Sequence, residues 1–470
     1  MAQSESVILP KRIPLVLRPE NRDETSLKDA KLINCYVEKD KETGEHWVFK
    51  RPGLRQYGST KSGNGYGVYN WLGDIYEIFG DTLYKNGTSV AAPLNTANGV
   101  YRFSSCKGTT PRLQLGNGLT AYNYDSGGGL VPIAGANFPA PFVKGWSYLD
   151  GTTYVMDFDA SIRGCDSLNA PDLWTDILNR IDAQIEPDGG IALGKQLVYV
   201  VAFKQWTTEI FYDAANPSAS PLSPVQGAKI NYGCANADSV QDIDGTLFWL
   251  GTNRGAAPQV IMLEGLKASI VSTKPIERLF GEADLTDIMS FGIKYEGHRF
   301  YGLTLRSKNI TLVYDMTENL WAQWTDTNGD YFPIVSNNFL SGATGGRILQ
   351  HETNGKSYLF DSTYTSDAGD VITADLYIPN FDGGTRRRKQ LNNLEFIGDR
   401  VTGSTLLVRC NDNDYDANSW SNFRRVDMSM ERPMLTNCGT FRRRAYHIRH
   451  ESNTPMRLQA MEAQIDLGTL

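Results

Sequence analysis

One short unit recurs along this chain: a glycine turn, one or two polar residues, then a run of aromatic or aliphatic residues. It reads Gly73-Asp74-Ile75-Tyr76 with Gly80-Asp81-Thr82-Leu83-Tyr84, Gly116-Asn117-Gly118-Leu119 with Tyr122, and Asp150-Gly151-Thr152-Thr153-Tyr154-Val155. It returns at Gly194-Lys195-Gln196-Leu197, Asp244-Gly245-Thr246-Leu247-Phe248, Glu296-Gly297-His298-Arg299-Phe300-Tyr301 and Asn354-Gly355-Lys356-Ser357-Tyr358-Leu359-Phe360. Short β-branched and aromatic runs bounded by Gly, Asp and Asn form antiparallel strands joined by tight turns. The units are spaced by about 35 to 60 residues, in the neighbourhood of the ~40–50 of propeller blades. The expected fold is therefore all-β: a β-propeller, six blades preferred and seven allowed. Ordinary hairpins in a β-sandwich are the competing reading of the same repeats.

The densest part of the pattern is 194–280, where Leu197 to Phe203, Glu209 to Tyr212 and Thr246 to Leu250 are strand-like runs. Blades bury both faces against their neighbours, so Trp71, Trp206, Phe248 and Trp249 are expected in the propeller core. The chain divides into an extended arm and hairpin at 1–60, the propeller at 61–365 and a β-sandwich at 366–470. Pro10, Pro14 and Pro19 restrict helix in the arm. One short helix is expected as an insertion near 171–182, because Leu173, Trp174, Ile177, Leu178 and Ile181 follow Pro171 at helical spacing.

With 470 residues, the chain is long enough for two or three domains or one large repeat ring. Its 46 Lys and Arg against 53 Asp and Glu give a net charge of −7, poor footing for sequence-specific DNA binding. Cys35, Cys106, Cys165, Cys234, Cys410 and Cys438 are scattered without a CxxC pair, which reads as buried thiols of a reducing cytosol. Met1-Ala2-Gln3-Ser4-Glu5-Ser6 carries no signal pattern and no apolar run reaches ~18 residues, so neither a signal peptide nor a membrane span is expected.

No catalytic or cofactor-binding constellation stands out. His46, His298, His351, His447 and His450 lack metal-ligand spacing, and His447 and His450 fall on opposite faces of one strand. Gly63 to Gly67 and Gly127 to Gly129 lack the Lys and the strand-to-helix setting of a phosphate loop. Asp412, Asp414 and Asp416 alternate as calcium ligands can, but Ala417 stands where the turn Gly belongs and Phe423 where the closing Glu belongs; a solvated turn is favoured, and cation binding stays open. The carboxyl-terminal region is rich in arginine: Arg386, Arg387 and Arg388, then Arg424 and Arg425, then Arg442, Arg443 and Arg444. Arginine clusters contact phosphates or acidic protein surfaces, and in an acidic chain protein interfaces are the favoured reading.

The order of motifs resembles a known family, the packaged-DNA stabilisation or tail nozzle (tail hub) proteins of short-tailed bacteriophages. The resemblance rests on Leu32-Ile33-Asn34-Cys35-Tyr36, Lys50-Arg51-Pro52-Gly53-Leu54, Trp206-Thr207-Thr208-Glu209-Ile210-Phe211 and Tyr232-Gly233-Cys234. It continues through Thr246 to Gly251 and Ser272-Thr273-Lys274-Pro275-Ile276-Glu277. It implies a non-enzymatic virion protein of the phage tail, assembled in the host cytoplasm as a homo-oligomer, a hexameric ring. Its implied partners are the head-to-tail adaptor, fibre, spike, needle or plug proteins, and genomic DNA passing through the lumen without sequence-specific contacts. Two alternatives from other classes are a propeller glycan hydrolase or depolymerase, which needs clustered carboxylates in a cleft, and a generic propeller interaction module.

Overall fold

The computed structural model describes residues 11–16, 30–108, 110–166, 171–341 and 346–467. Residues 1–10 and 17–29 of the expected arm, with Pro10 and Pro19, lie outside the described residues. The chain forms two compact units: Gln56–Asn309 with Pro333–Phe360, and Met1–Arg55 with Ile310–Phe332 and Asp361–Leu470.

The first unit is a β-propeller. Four-stranded antiparallel sheets cover 65–91, 102–132, 147–182 and 190–224, and a fifth sheet covers 233–270. Ile288–Tyr295 then pairs with His298–Leu305, and Ile334–Phe339 with Arg347–His351 and Ser357–Asp361. These are seven strand sets among the described residues, a number the repeat reading allowed. The recurring glycines have a local cause. Leu72-Gly73, Asn86-Gly87, Asp150-Gly151, Asp244-Gly245 and Glu296-Gly297 each place two consecutive residues at positive φ. That is the mirror-image turn whose twist matches the strands of a tight hairpin.

Each sheet buries its faces against the next. Trp71, Tyr76, Ile78, Leu113, Leu115 and Tyr124 fill one interface between neighbouring sheets. Val201, Phe203, Ile210, Leu247, Trp249 and Ile261 fill another. The last strand set is clipped to the first by buried polar groups: the Gly67 N–H donates to Gln350 Oε1 at 2.7 Å, and Gln350 Nε2 donates to the Ile78 carbonyl at 2.9 Å. Lys61 and Glu77 add a buried ion pair of 2.8 Å, and the Ser357 hydroxyl donates to Glu77.

The helix expected near 171–182 is absent; the segment is an irregular loop that ends in the edge strand Arg180–Asp182. The Asp166 carboxylate accepts the N–H groups of Thr175 and Asp176 at 2.7 and 2.8 Å, and Asp176 accepts that of Leu178 at 2.9 Å. These side-chain bonds hold turns where a helix would need its own backbone bonds. Trp174 turns inward and Ile181 packs against the core, whereas Leu173, Ile177 and Leu178 are exposed. Among the described residues the unit's α-helix lies instead at Lys274–Glu282, with Thr273 as N-cap residue and a proline in its first turn.

The second unit is a β-sandwich. One sheet runs in the order Cys35–Lys39, His46–Lys50, Arg457–Leu467, Lys389–Gly398 and Met434–Thr436. The other takes Ile310–Asp315, Leu320–Trp324, Lys31–Ile33, Ala374–Phe381, Arg444–His450, Thr405–Asn411 and Arg424–Asp427. Alternate residues of both, including Val37, Val48, Leu376, Val408, Phe396, Ile448 and Met461, meet in one core.

Candidate functional site

The three arginine clusters converge on one corner of the sandwich. Arg386, Arg387 and Arg388 occupy an exposed loop leading into the strand Lys389–Gly398, and Lys389 pairs in register with Phe441, beside Arg442. The buried Lys389 ammonium ties the two segments by donating to the carbonyls of Thr385, Arg387 and Arg442 at 2.6, 2.8 and 2.7 Å. Burial, with Lys11 and Arg442 nearby, pulls its pKa down against the pull of Asp382. Arg442 also donates to the Arg386 carbonyl at 3.2 Å. Arg424 reaches the same corner through the carbonyl of Thr436 at 2.6 Å, two residues from the Cys438 carbonyl that Arg444 binds at 2.6 Å.

The eight arginines do not share one role. Arg444 is 4% exposed and makes a bidentate pair with Asp412, Nε to Oδ1 at 2.6 Å and Nη2 to Oδ2 at 2.8 Å. Arg443 pairs with Asp414 at 3.2 Å. Two of the three alternating carboxylates are thus engaged by arginine, and Asp416 accepts the Ser419 hydroxyl. No cluster of three or more His, Cys, Asp or Glu among the described residues is arranged to hold a metal ion. Arg386, Arg387, Arg388, Arg424, Arg425 and Arg442 remain exposed, with no ion pair among the described residues. Six guanidinium groups with planar donor forks and no internal counter-charge suit carboxylate or phosphate groups on another molecule.

The histidines next to this corner are structural. His447 and His450 are both fully buried on the strand Arg444–His450. His447 Nδ1 accepts from Arg409 Nε at 2.9 Å, so its Nε2–H donates to Asp375 at 2.7 Å. Burial lowers the His447 pKa; the Asp375 carboxylate opposes this, and Arg409 and Arg449 reinforce it. For Asp375 burial acts upward, but the bonds from His447 and Arg449 outweigh it and hold the carboxyl below its usual range.

The motif residues are clamps. Asn34, at φ 53°, donates to the Thr325 hydroxyl and the Thr373 carbonyl, each at 2.8 Å, and accepts from Arg51 Nε at 2.9 Å. Arg51, 1% exposed, pairs with Asp367 at 2.5 Å and lies 4.9 Å from the centre of the Phe332 ring. Gly53 is required because a Cβ there would sit 2.4 Å from the Ser366 carbonyl oxygen. In the propeller, Glu209 joins Asp188 around the buried Lys204 ammonium at 2.6 and 2.8 Å. Trp249 and Phe248 are fully buried and Trp71 is 6% exposed. Trp206 is half-buried, its backbone N–H donating to Asp188 Oδ2 at 2.7 Å. Sequence reasoning did not find the Asn34–Arg51–Asp367 clamp or the Asp412–Arg444 pair. The one signal for the second was that residues 411 and 445 fall opposite each other once the strands are paired.

The sequence model of a family described as "Phage_stabilise: Bacteriophage P22 Gp10, beta-propeller" matches residues 11–332. The chain belongs to this family. It is a phage structural protein, a β-propeller component of the virion. The match ends at 332, so the arginine-rich corner lies beyond it. No curated protein matches the chain. Among solved structures it is similar to virginiamycin B lyase from Staphylococcus aureus, at 6% identity and TM-score 0.43 over 67% of this chain and 99% of that one. It is also similar to the WD40 β-propeller domain of Doa1, at 9% identity and TM-score 0.39 over 66% and 97%. A third is the extracellular domain of the hybrid two-component system BT4673 from B. thetaiotaomicron, at 11% identity and TM-score 0.44 over 91% and 62%. Likenesses of this size carry no argument about activity. No helix among the described residues is long and apolar enough to cross a membrane.

Proposed function

We propose that the chain is the repeating subunit of a phage tail nozzle or hub. Six copies form a ring below the portal and adaptor; the ring extends the DNA channel, retains the packaged genome and carries needle or fibre proteins. The observation that carries this reading is the family match across residues 11–332, which takes in the motifs from Leu32 to Glu277 and all but the last of the strand sets. The charge layout supports it. A net charge of −7 disfavours adhesion of DNA phosphate to the lumen, so the genome slides. The six unpaired arginines at one corner of the sandwich are suited to an acidic patch on a neighbouring subunit or on the adaptor, and a ring closes through such unlike, repeated contacts. The protein acts by assembly and not by catalysis in this reading.

The test is assembly. Purified protein mixed with portal–adaptor complexes is expected to add as a ring of six, and virions lacking the protein are expected to lose DNA after packaging. A protein that stays monomeric in the mixture, together with null virions that keep their DNA, overturns the reading. Breakdown of host surface polysaccharide by the pure protein would move it to the hydrolase class.

A further inference from the structure

We propose that the axis of the propeller is a binding site for a small phosphate-bearing anion. The innermost strands of all seven strand sets enclose a cavity of about 560 Å³ there, a size that suits a small molecule. Four cations line it: Arg102, Lys144, Lys195 and Arg347.

Their compensation is incomplete. Asp238 takes two of them, with Lys144 Nζ at 2.7 Å and Arg102 Nη2 at 3.5 Å. Lys195 lies 5.8 Å from the centre of the Tyr148 ring and makes no ion pair among the described residues. Arg347 donates through Nε to the Lys294 carbonyl at 3.0 Å and likewise has no ion pair there. Asp242 is the carboxylate on the lining itself. The four cations face Asp242 on the lining and Asp238 beside it, while Asp150 and Asp244 act on Lys195 and Arg347 from outside the lining without forming an ion pair with either.

Burial lowers the pKa of both Lys195 and Arg347, against the upward pull of Asp242 and Asp150 on the first and Asp244 on the second. A phosphate group carries roughly −1.5 to −2 at neutral pH and offers several acceptor oxygens. One such group offers acceptors both for the Arg347 guanidinium fork and for the Lys195 ammonium, the two lining cations without an ion pair among the described residues.

Titration calorimetry of the full chain with tripolyphosphate at low salt tests this, alongside Lys195→Gln with Arg347→Gln, Lys195→Arg, and Arg386→Gln with Arg387→Gln. Saturable binding at one site per chain is expected. It should weaken at least tenfold in the Lys195/Arg347 double variant, persist in Lys195→Arg and be unchanged in the Arg386/Arg387 variant, with melting temperatures showing that each variant folds. Competition by ATP assigns the phosphate to a nucleotide; its failure to compete assigns it to an inorganic chain. The proposal is overturned if the wild type shows no saturable binding, if the double variant binds as well as the wild type, if the sandwich variant loses the binding instead, or if a hexaglutamate peptide binds more tightly than tripolyphosphate.

Discussion

Trp249 is fully buried, packs edge-on against Phe203 with ring centroids 5.0 Å apart, and donates its Nε1–H to the Gly233 carbonyl at 2.8 Å. Truncation to Ala removes a large side chain that neighbouring sheets hold from two sides, at a cost of about 3–5 kcal/mol. Trp249→Phe keeps most of the packing and leaves the Gly233 carbonyl without its donor, so a cost of ~1–3 kcal/mol is expected. Urea unfolding of the two variants checks both the sizes and the order. His450 gives a second residue-level prediction. Burial, with Lys50 nearby, pulls its pKa from 6.5 to about 3. The unfolded chain therefore takes up a proton below pH 6.5 that the folded chain refuses. The stability His450 contributes is complete above that pH and is lost as pH falls toward about 3, by up to ~1.4 kcal/mol per pH unit. His450→Gln is expected to flatten the acid limb of unfolding between pH 6.5 and 4; an unchanged limb would contradict the assignment.

At the scale of elements, the hairpins were legible because their signal is local: a glycine at the second turn position, preceded by Asn86, Asp150 or Asp244 in three of the five turns, flanked by apolar runs. The helix was misplaced for a related reason. The 171–181 segment has helical spacing, but Asp166, outside the window, accepts its N–H groups and fixes it as a loop. Thr273 and Pro275 stand at the N-cap and in the first turn of the real helix, positions where such residues mark a helix start. Pairings of the sandwich were illegible for a different reason. Asn34 bonds to Thr325 across 291 residues and Arg51 to Asp367 across 316, and neither pairing leaves a trace in local periodicity. Lys204 shows how an element depends on such partners. Its ammonium, 0% exposed, sits between Asp188 and Glu209, so Lys204→Met leaves two buried carboxylates facing each other. A loss of about 3–5 kcal/mol is expected in thermal or urea unfolding. Adding Asp188→Asn and Glu209→Gln should recover part of it.

For the whole molecule, the arginine-rich corner separates stability from assembly. Arg386, Arg387 and Arg442 are exposed and make no ion pair among the described residues, so reversing them to Glu should change unfolding free energy by less than about 1 kcal/mol. The same triple variant is expected to lose subunit association, because like charges then face the acidic partner surface. The most direct measurement of the central proposal is electron microscopy of the wild-type protein incubated with purified portal–adaptor complexes. A closed ring of six copies, continuous with the DNA channel and absent with the triple arginine variant, is the predicted result. Free monomers beside undecorated complexes would contradict it.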